Sequence, residues 1–540
     1  MDKSSPRARG LRSGVNRRDL VGAGAAGVLL AASGSAAAKA RKAPVAQTAA
    51  GRIRGLNNGP VKVFRGVPYG ASTAGANRWL PAKPPAPWSG IRDATAYGQQ
   101  CPQTWGAPLP EEQAQLYTGP MGEDCLTLNI YTPALDGGRR PVMVWYHGGG
   151  FSSGSGNAAT YDGSNLARKH GVVVVSVTHR LNVFGHLYLG DLFGADYADS
   201  GNVGVLDCVA ALAWVRDNIA HFGGDPHLVT AFGQSGGGGK VSTMMGMPPA
   251  KGLFHRAIVE SGQAVRSGAR ERAAQAAKAL IDNLGVKTLA EMQAVPSDRL
   301  LAAVDKTGFP SSPIVDGRSL PAHAFTPSAS PLSVDVPLLT GSTETELVFF
   351  PTTPIDPIDD ATFKKDVLQG TRLPPADADR LIGAYRAKYP GRDNTYLLQM
   401  LLSDWTFGDP VLTQADRKAA QGGAPVYVYY FAKHTPVRGG KLRAPHTLDV
   451  PYVFDNLTYG APIVGPKTPA QQAFADKVSG AWVAFARTGS PAVPGGPAWK
   501  PYDERARSTM VIDDVFALRD DPLHETRQLI VELKAKGAAG

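Results

Sequence analysis

Short apolar runs alternate with segments of helical periodicity along most of the chain. The runs are rich in β-branched residues and have the length of buried strands, at 142–146, 172–177, 228–232, 257–260, 337–340 and 426–431. Between the second and third runs, apolar residues from Val205 to Phe222 recur every three or four positions, which predicts a long helix that begins near Asn202. This alternation predicts an α/β protein with a mainly parallel sheet.

The run at 228–232 leads directly into Gly-Gln-Ser-Gly-Gly at 233–237, which is a Gly-x-Ser-x-Gly motif. In such a motif the serine lies on a sharp turn between a strand and a helix, and the glycines leave room that a β-carbon would fill. In a chain with 62 glycines the pentapeptide alone can arise by chance, so the preceding strand is what makes it specific. Ser235 is therefore predicted to be a nucleophile.

A serine hydroxyl needs a base to take its proton and an acid to hold that base in one tautomer. Among the histidines after Ser235, His446 is the preferred base because it follows the strand predicted at 426–431 and a loop. Two carboxylates, Glu344 and Glu346, follow the strand predicted at 337–340 and are candidates for the acid. The other open alternatives are His434 for the base, and Asp316 and Asp404 for the acid.

A second glycine motif, His-Gly-Gly-Gly-Phe at 147–151, also follows a predicted strand. Consecutive glycines let backbone N–H groups turn together towards the oxygen that becomes negative in a tetrahedral intermediate. The predicted donors of this oxyanion hole are the N–H groups of Gly149, Gly150 and Gly236, the last being the residue after the nucleophile. A bare triple glycine is often only a flexible turn, so its place between a strand and the serine motif matters.

Other chemistries find little support in the chain. The run Gly-Gly-Gly-Gly-Lys at 236–240 suggests a phosphate loop, but that motif needs glycine at 234 and a hydroxyl residue at 241, where the chain has Gln234 and Val241. The ligand spacings of zinc sites are absent from the sequence, so neither a metal nor a cofactor is expected. Beyond the first 38 residues no basic run interleaves with aromatic residues, so nucleic acid is not an expected partner.

The first 38 residues differ from the rest and predict a cleaved signal peptide. They contain six Lys or Arg, an Asn-Arg-Arg-Asp sequence at 16–19 that resembles the twin-arginine export signal, and an uncharged stretch at 20–38. Cleavage after Ala38 or Ala40 would leave one exported domain at 39–540, periplasmic or secreted, that meets a membrane only during export. A retained membrane anchor is the alternative.

Removal of the signal also changes the charge of the protein. The remaining chain has 50 Lys and Arg against 44 Asp and Glu, a net charge of +6 instead of +10. Such a mild positive charge permits attraction of anionic substrates.

Taken together, the motifs resemble the type B carboxylesterase family of the α/β-hydrolase fold, which includes para-nitrobenzyl esterases, mammalian carboxylesterases and cholinesterases. The resemblance extends from about residue 50 to near the end of the chain. Besides the serine motif, it is carried by Phe-Arg-Gly-Val-Pro-Tyr at 64–69, Cys-Pro-Gln at 101–103, Glu-Asp-Cys-Leu-Thr-Leu-Asn at 123–129, Phe-Gly-Gly-Asp-Pro at 222–226 and Pro-Leu-Leu-Thr-Gly at 337–341.

This resemblance implies an α/β-hydrolase fold with a large, mostly parallel sheet flanked by helices. It also implies a catalytic triad of Ser235, Glu346 and His446, and a disulfide between Cys101 and Cys125. The implied reaction is hydrolysis of a small-molecule carboxylic ester through an acyl-enzyme, without a cofactor. Nothing in the sequence indicates an oligomeric state.

The chain departs from the family pattern next to its reactive residues. Gln234 and Gly236 stand where Glu and Ala are usual, which removes a buried charge and loosens the following turn. The acid is flanked by Thr345 and Leu347 instead of Asp and Gly, and Arg443-Ala444-Pro445 precedes the histidine instead of Gly-Ala. These differences suggest a specialised pocket.

The substrate is less well indicated than the reaction. A bulky or anionic ester is one expectation, and aromatic residues that could line its pocket are Trp79, Trp88, Trp105, Trp405 and Phe407. Two other functions stay open, namely a non-catalytic cholinesterase-like binding protein, and an amidase or carbamate hydrolase that uses the same triad.

Overall fold

A sheet of eleven strands forms the centre of the computed structural model, which describes residues 42–104, 119–350 and 353–538. The predicted signal at 1–38 lies outside the described residues. The strands of the central sheet and of two small sheets are β1 (Val45–Thr48), β2 (Gly51–Arg54), β3 (Leu56–Asn58), β4 (Val61–Pro68), β5 (Ile91–Asp93), β6 (Thr127–Thr132), β7 (Arg140–Tyr146), β8 (Val173–Val177), β9 (Gly224–Gln234), β10 (Arg256–Glu260), β11 (Gly268–Ala269), β12 (Ile314–Val315), β13 (Leu338–Thr343), β14 (Val426–Phe431), β15 (Ser508–Ile512) and β16 (Ala517–Asp520).

The α-helices are α1 (Ser164–His170), α2 (Asn182–His186), α3 (Gly190–Phe193), α4 (Val203–Asn218), α5 (Gly236–Met244), α6 (Arg270–Leu284), α7 (Leu289–Ala294), α8 (Ser297–Thr307), α9 (Asp360–Thr371), α10 (Pro375–Lys388), α11 (Asn394–Ser403), α12 (Asp409–Ala419), α13 (Val450–Val453), α14 (Ala461–Val464), α15 (Pro469–Thr488) and α16 (His524–Ala538). A π-helical turn at Asp404–Gly408 joins α11 to α12. Within the described ranges, no helix combines the length and apolar character needed to cross a bilayer.

The central sheet has the order β16-β15-β14-β13-β10-β9-β7-β8-β6-β4-β3. Its middle strands, from β8 to β15, pair in parallel, whereas β16 at one edge and β6, β4 and β3 at the other pair antiparallel. The prediction of an α/β protein with a mostly parallel sheet is confirmed. From Ala43 onward the chain forms one compact unit.

The apolar runs seen in the sequence arise because the middle strands are buried on both faces. Along β7, Val142, Val144 and Tyr146 pack into one core cluster, while Met143 and Trp145 pack into the cluster on the opposite face. A strand covered on both faces has no polar side, so its sequence is continuously apolar instead of alternating.

The helix predicted to begin near Asn202 is α4, which starts at Val203. Two strands are longer than their apolar runs indicated: β9 starts at Gly224 because that residue pairs with Arg140 across an irregularity, and β13 continues to Thr343, opposite Phe431 of β14. Polar residues at strand ends therefore join the hydrogen-bonded ladder although they break the hydrophobic pattern.

The carboxyl ends of the parallel strands meet at one edge of the sheet, where α/β proteins bind their ligands. There, β7 is followed by the glycine loop at 147–151, β9 by Ser235 and β10 by Ser261, while Glu344 to Glu346 follow β13. The chain from β14 continues to His446. The topology thus collects the predicted reactive residues at a single edge.

Candidate active site

Ser235 lies between β9 and α5 in a backbone conformation that non-glycine residues rarely adopt, with φ of 58° and ψ of −127°. Ser235 N donates to Glu260 O at 2.8 Å, which ties the turn to the neighbouring strand. A β-carbon on Gly237 would lie 1.9 Å from Tyr146 O, and one on Gly233 would lie 2.6 Å from the carbonyl carbon of Gly237. Both glycines of the motif are therefore sterically required by a strained turn that lifts the serine side chain.

Glu346 and His446 are in direct contact, from the carboxylate Oε2 to the imidazole Nδ1. Glu346 is fully buried, and its other oxygen accepts hydrogen bonds from Ser261 Oγ at 2.5 Å and from Thr343 N at 2.7 Å. A carboxylate with donors on both oxygens has one orientation. It consequently fixes the tautomer of His446, with the lone pair on Nε2.

Two loops that pair with each other bring these residues together. Thr345 N donates to Ala444 O at 3.0 Å, and Ala444 N donates to Thr345 Oγ1 at 3.0 Å. The hydroxyl of Thr345 also donates to Leu442 O at 3.0 Å. Sequence reasoning treated Thr345 only as a departure from the family pattern, although a hydroxyl residue directly before the predicted acid was a usable signal.

The alternative acid and base pair with each other instead. His434 Nε2 lies 2.6 Å from Glu344 Oε2, which also accepts from Tyr396 Oη at 2.8 Å. The other two candidate acids are held by interior polar groups: Asn202 and Ser319 bind Asp316, and Tyr385 binds Asp404. The structure therefore places Glu346 against His446, whereas the alternative acids Glu344, Asp316 and Asp404 bind other residues.

Gln234 reaches the other nitrogen of the imidazole. Its Nε2 lies 3.1 Å from His446 Nε2 and 3.4 Å from His446 Nδ1. Because Nδ1 faces Glu346, the amide N–H donates to Nε2. Ser235 Oγ makes no hydrogen bond to any residue that the structure describes, so a proton transfer from Ser235 to His446 would require the Gln234 hydrogen bond to open.

The glycine loop after β7 lies against the serine turn. A β-carbon on Gly148 would be 3.3 Å from Ser235 Cβ, and one on Gly236 would be only 1.9 Å from Gly150 O. Gly149 and Gly150 have left-handed backbones, with φ of 88° and 60°. Among the described residues, the N–H groups of Gly149, Gly150 and Gly236 find no acceptor, which leaves all three free to bind a substrate oxygen.

The carbonyl groups of the same loop are all bound. Gly148 O faces His147 Nδ1 at 2.8 Å, and Gly149 O accepts from Ser153 N at 3.0 Å. The carbonyls of His147 and Gly150 both accept from Lys240 Nζ, at 3.1 and 2.8 Å. The loop is thus anchored through its carbonyl oxygens. Sequence reasoning considered Lys240 only as part of a rejected phosphate loop, and missed this contact.

Aromatic rings cover His446. Phe407, in the π-helical turn, and Phe350 have ring centroids 5.2 and 5.9 Å from the imidazole. Five aromatic residues were proposed from the sequence, and of those that the structure describes only Phe407 packs against His446. The others contact different residues: Trp79 contacts Val183, Trp88 contacts Arg52, and Trp405 contacts Lys534. Trp105 lies outside the described residues.

The implied disulfide is not present in the structure. Cys101 and Cys125 are buried free thiols, and Cys101 Sγ also accepts from Leu181 N at 3.3 Å. The hydrogen bond with Cys101 raises the pKa of the Cys125 thiol well above its usual value, and burial adds to the shift. The two cysteines are neighbours as implied, but they pair as thiols. Cys208 is a buried free thiol in α4.

Two further carboxyl groups lie buried near Glu346. Burial, together with the charge of Glu346, raises the pKa of Asp449 to about 7, and Asp449 Oδ2 accepts from Tyr429 Oη at 3.0 Å. Burial and the charge of Asp449 also raise the pKa of Glu260 well above its usual value. Acidic side chains are thus concentrated on this side of His446, and burial favours the protonated forms of Asp449 and Glu260.

Comparison with known proteins shows the family. The model of the carboxylesterase family matches residues 42–528. Para-nitrobenzyl esterase of Bacillus subtilis is 34% identical over 515 residues, which cover 91% of this chain and 99% of that protein. Phenmedipham hydrolase of Pseudarthrobacter oxydans is 34% identical over 495 residues, which cover 87% of this chain and 95% of that protein. The chain belongs to the carboxylesterase family.

Solved structures agree with this assignment. The structure of a carboxylesterase of Geobacillus stearothermophilus aligns over 90% of this chain and 99% of its own chain, with a TM-score of 0.78 and 35% sequence identity. A structure of PNB esterase also covers 90% of this chain and 99% of its own chain, with a TM-score of 0.77 and 32% identity. This protein therefore has the α/β-hydrolase fold and is a carboxylesterase.

Proposed function

We propose that this carboxylesterase acts through an acyl-enzyme on Ser235, with His446 as general base and acid and with Glu346 as its orienting group. The observation that carries the proposal is the contact between Glu346 Oε2 and His446 Nδ1, beside a serine held in a strained turn. That contact leaves the lone pair of Nε2 for the serine proton and stabilises the imidazolium that forms.

The proposed reaction has two halves. Ser235 Oγ attacks the ester carbonyl carbon and transfers its proton to His446 Nε2 as the Gln234 hydrogen bond opens, while the N–H groups of the oxyanion hole bind the negative oxygen. His446 then protonates the leaving alkoxide. Water enters, loses a proton to the same nitrogen and attacks the acyl carbon, and His446 then returns that proton to Ser235 Oγ as the acid leaves.

The first test is a brief pulse of para-nitrophenyl acetate or a fluorophosphonate, followed by mass spectrometry of the intact protein. We expect a single adduct that maps to Ser235. Ser235→Ala should lower kcat by about a million-fold, because loss of such a nucleophile leaves only the oxyanion hole and binding. A variant that keeps more than about one thousandth of the wild-type kcat contradicts the assignment.

We propose that the substrate is a bulky ester with an anionic group. A cavity of about 1000 Å³ extends from His186, whose ring packs at 5.4 Å against Phe151 at the end of the glycine loop. Its charged lining residues are Arg266, Arg270 and Arg272 with Glu271 and Asp316. Arg270 pairs with Asp191, whereas Arg266 and Arg272 form no ion pair with any described residue. Two free guanidinium groups favour a carboxylate-bearing ester.

This substrate class can be tested with matched esters of one alcohol. A hemisuccinate and a neutral butyrate differ in charge at similar size, and Arg266→Gln with Arg272→Gln should lower kcat/KM about three- to tenfold for the hemisuccinate only. Added salt should weaken the same preference. Equal losses for both esters would contradict electrostatic capture, and substitution of an exposed arginine, Arg505→Gln, is the control.

Matched anilides and carbamates decide between esterase, amidase and carbamate hydrolase activity.

We propose, from the sequence at 1–38, that the enzyme is exported through the twin-arginine pathway. Replacement of both Arg17 and Arg18 by Lys should move esterase activity from the exported fraction to the cytoplasm, while Arg9→Lys should not. Activity that stays exported in the double variant would contradict the pathway.

We also propose that, after export, a disulfide-donating oxidant of the oxidising compartment accepts two electrons and two protons from the Cys101 and Cys125 thiols, which join as a disulfide. Loss of two hydrogens from these thiols makes the protein about 2 Da lighter. We expect that mass difference in the exported enzyme, and its absence in Cys125→Ser. Alkylation of both thiols without prior reduction would contradict the proposal.

A further inference from the structure

Lys240 is a buried ammonium beside the glycine loop. It is fully buried on α5, five residues after Ser235, and its Nζ lies 5.2 Å from the ring centroid of Phe151. None of the ion pairs formed by the described residues includes it, and its Nζ donates to the carbonyls of His147 and Gly150. Burial of a lysine without a carboxylate is costly, so folding alone gives no reason for its presence.

The two acceptors lie at opposite ends of the loop. In a trans peptide the carbonyl oxygen of one residue and the N–H of the next point in opposite directions, so Lys240, through the carbonyls of His147 and Gly150, directly orients the N–H groups of Gly148 and Phe151. These two peptide units flank the units that carry the N–H groups of Gly149 and Gly150. The carbonyls of those inner units, of Gly148 and Gly149, are bound by His147 Nδ1 and Ser153 N instead.

Gly236 makes this arrangement possible. Its missing side chain lets Gly150 O approach to within 1.9 Å of where a β-carbon would be. Residues four positions apart lie on the same face of a helix, so Gly236 and Lys240 face the loop together. The glycine provides the space for the carbonyl, and the lysine provides its donor.

We propose that Lys240 is a positioning residue of the oxyanion hole: its ammonium fixes both ends of the glycine loop and places positive charge behind the N–H groups of Gly149 and Gly150. This inference rests on the proposed attack by Ser235. The charge favours the tetrahedral intermediate over the uncharged ester, so its effect falls on kcat more than on KM.

The titratable groups that face Lys240 are neutral around it. They are His147 after β7, His179 after β8, His186 on α2 and Cys208 on α4. Burial lowers the pKa of His147 and of His186 to about 3, lowers that of His179 well below its usual value, and raises that of the Cys208 thiol. Burial lowers the pKa of Lys240 to about 8, so it is the member of this group that changes charge near that pH.

Lys418 offers a matched control far along the chain. It is also fully buried, and its Nζ donates to the carbonyls of Ser333 at 2.8 Å and Val334 at 3.0 Å. Burial lowers its pKa to about 8 as well. Lys418→Met and Lys240→Met therefore remove similar interactions, but only Lys240 touches the glycine loop.

The experiment compares the two variants on para-nitrophenyl acetate across pH. We expect Lys240→Met to lower kcat at least tenfold with KM within about twofold, and Lys418→Met to leave both unchanged. In the wild type and in Lys418→Met, kcat should fall as pH rises through about 8, and this fall should be absent in Lys240→Met. Inhibition by a trifluoromethyl ketone, which forms a negative tetrahedral adduct, should weaken by the same factor as kcat/KM.

Unchanged kcat in a folded Lys240→Met variant would overturn the inference. If that variant does not fold, absence of the fall near pH 8 in the wild type overturns it instead. Fluorophosphonate labelling of wild-type Ser235 separates the two proposals: with Ser235 labelled, a negative result concerns Lys240 alone, and without labelling both proposals fail.

Discussion

On one side of Ser235 the loop at 147–151 is held by close backbone contacts and by one buried ammonium, whereas on the other side Glu346 is held by hydrogen bonds near the buried carboxyl groups of Asp449 and Glu260. The oxyanion side leaves no room for a side chain at position 236, since a β-carbon on Gly236 would overlap Gly150 O. The acid side depends instead on charge and on donors to one carboxylate.

This difference matches the charges that the proposed reaction develops. The substrate oxygen becomes negative beside Lys240, while the imidazole becomes positive beside Glu346. Buried charges of the appropriate sign on each side need no reorganisation as the reaction proceeds. Each side should therefore respond to loss of its own buried charge, whereas a change of volume should affect the oxyanion side more than the acid side.

The largest effect of a change at constant volume is expected for Glu346→Gln. The amide preserves the shape of Glu346 but can present an N–H to His446 Nδ1, which selects the wrong tautomer and no longer stabilises the imidazolium. We expect kcat to fall by about 10⁴-fold, as for the corresponding change in other serine hydrolases. Steady-state kinetics measure the loss, and Glu344→Gln, which alters the pair with His434, is the matched control. A smaller loss than that of the control would move the acid to Glu344.

On the oxyanion side, Gly236→Ala tests volume without a change of charge. The added methyl group must push Gly150 O away, which displaces both the carbonyl that Lys240 binds and the predicted donors. We expect kcat to fall by about 10²- to 10³-fold, the effect of losing one oxyanion donor, with little change in KM. Gly383→Ala on α10, where an added β-carbon meets nothing within 4 Å, is the control and should be neutral. Wild-type kcat in Gly236→Ala would show that the loop moves freely.

The oxyanion side was also the more predictable side from the sequence. Steric demands appear directly as glycines, and the strands before Gly148 and Ser235 appear as apolar runs, so both loops could be located by pattern. The parallel order of the strands then predicted that Glu346 and His446 would lie near Ser235. The hydrophobic pattern could not predict contacts between a side chain and a distant part of the backbone, such as the hydrogen bond from Lys240 to Gly150 O.

The acid side shows the same limit more strongly. Two carboxylates end β13, and neither spacing nor composition distinguishes Glu344 from Glu346 without family resemblance. The structure separates them through the pairing of Thr345 with Ala444, which is a contact between segments about 100 residues apart. Asp449 was not identified either, because a single aspartate after a histidine has no periodic signature.

Ser261→Ala should give a smaller loss than either change above. Ser261 Oγ donates to Glu346 Oε1 at 2.5 Å, while Thr343 N supplies a second donor that the substitution leaves in place. Glu346 then keeps its position but loses part of its orientation, so we expect kcat to fall about tenfold, the cost of one hydrogen bond to a charged group. Ser242→Ala, a buried serine that donates to Gly262 O, is the control. A loss as large as that of Glu346→Gln would mean that Ser261 alone positions the acid.

Asp449 and Asp404 provide the finest comparison, because both are buried, both bind a tyrosine hydroxyl, and burial raises the pKa of each to about 7. In the unfolded chain each ionises near its usual value of 3.8, so between that pH and about 7 the folded state holds a proton that the unfolded state lacks. The free energy of unfolding then decreases as pH rises through this window, by as much as about 4 kcal/mol for each group.

Neither Asp449→Asn nor Asp404→Asn can titrate, so each variant should gain stability relative to the wild type as pH rises from 4.5 to 8, as urea denaturation at fixed pH values would measure. Only Asp449 lies beside Glu346, and above about pH 7 its negative charge should stabilise the positive charge that the imidazole gains during the proposed reaction. The ratio of kcat in Asp449→Asn to that of the wild type should therefore change two- to threefold between pH 6 and pH 8, and the same ratio for Asp404→Asn should stay constant. Equal kinetic effects of the two substitutions would mean that the charge of Asp449 near Glu346 has no special part in catalysis.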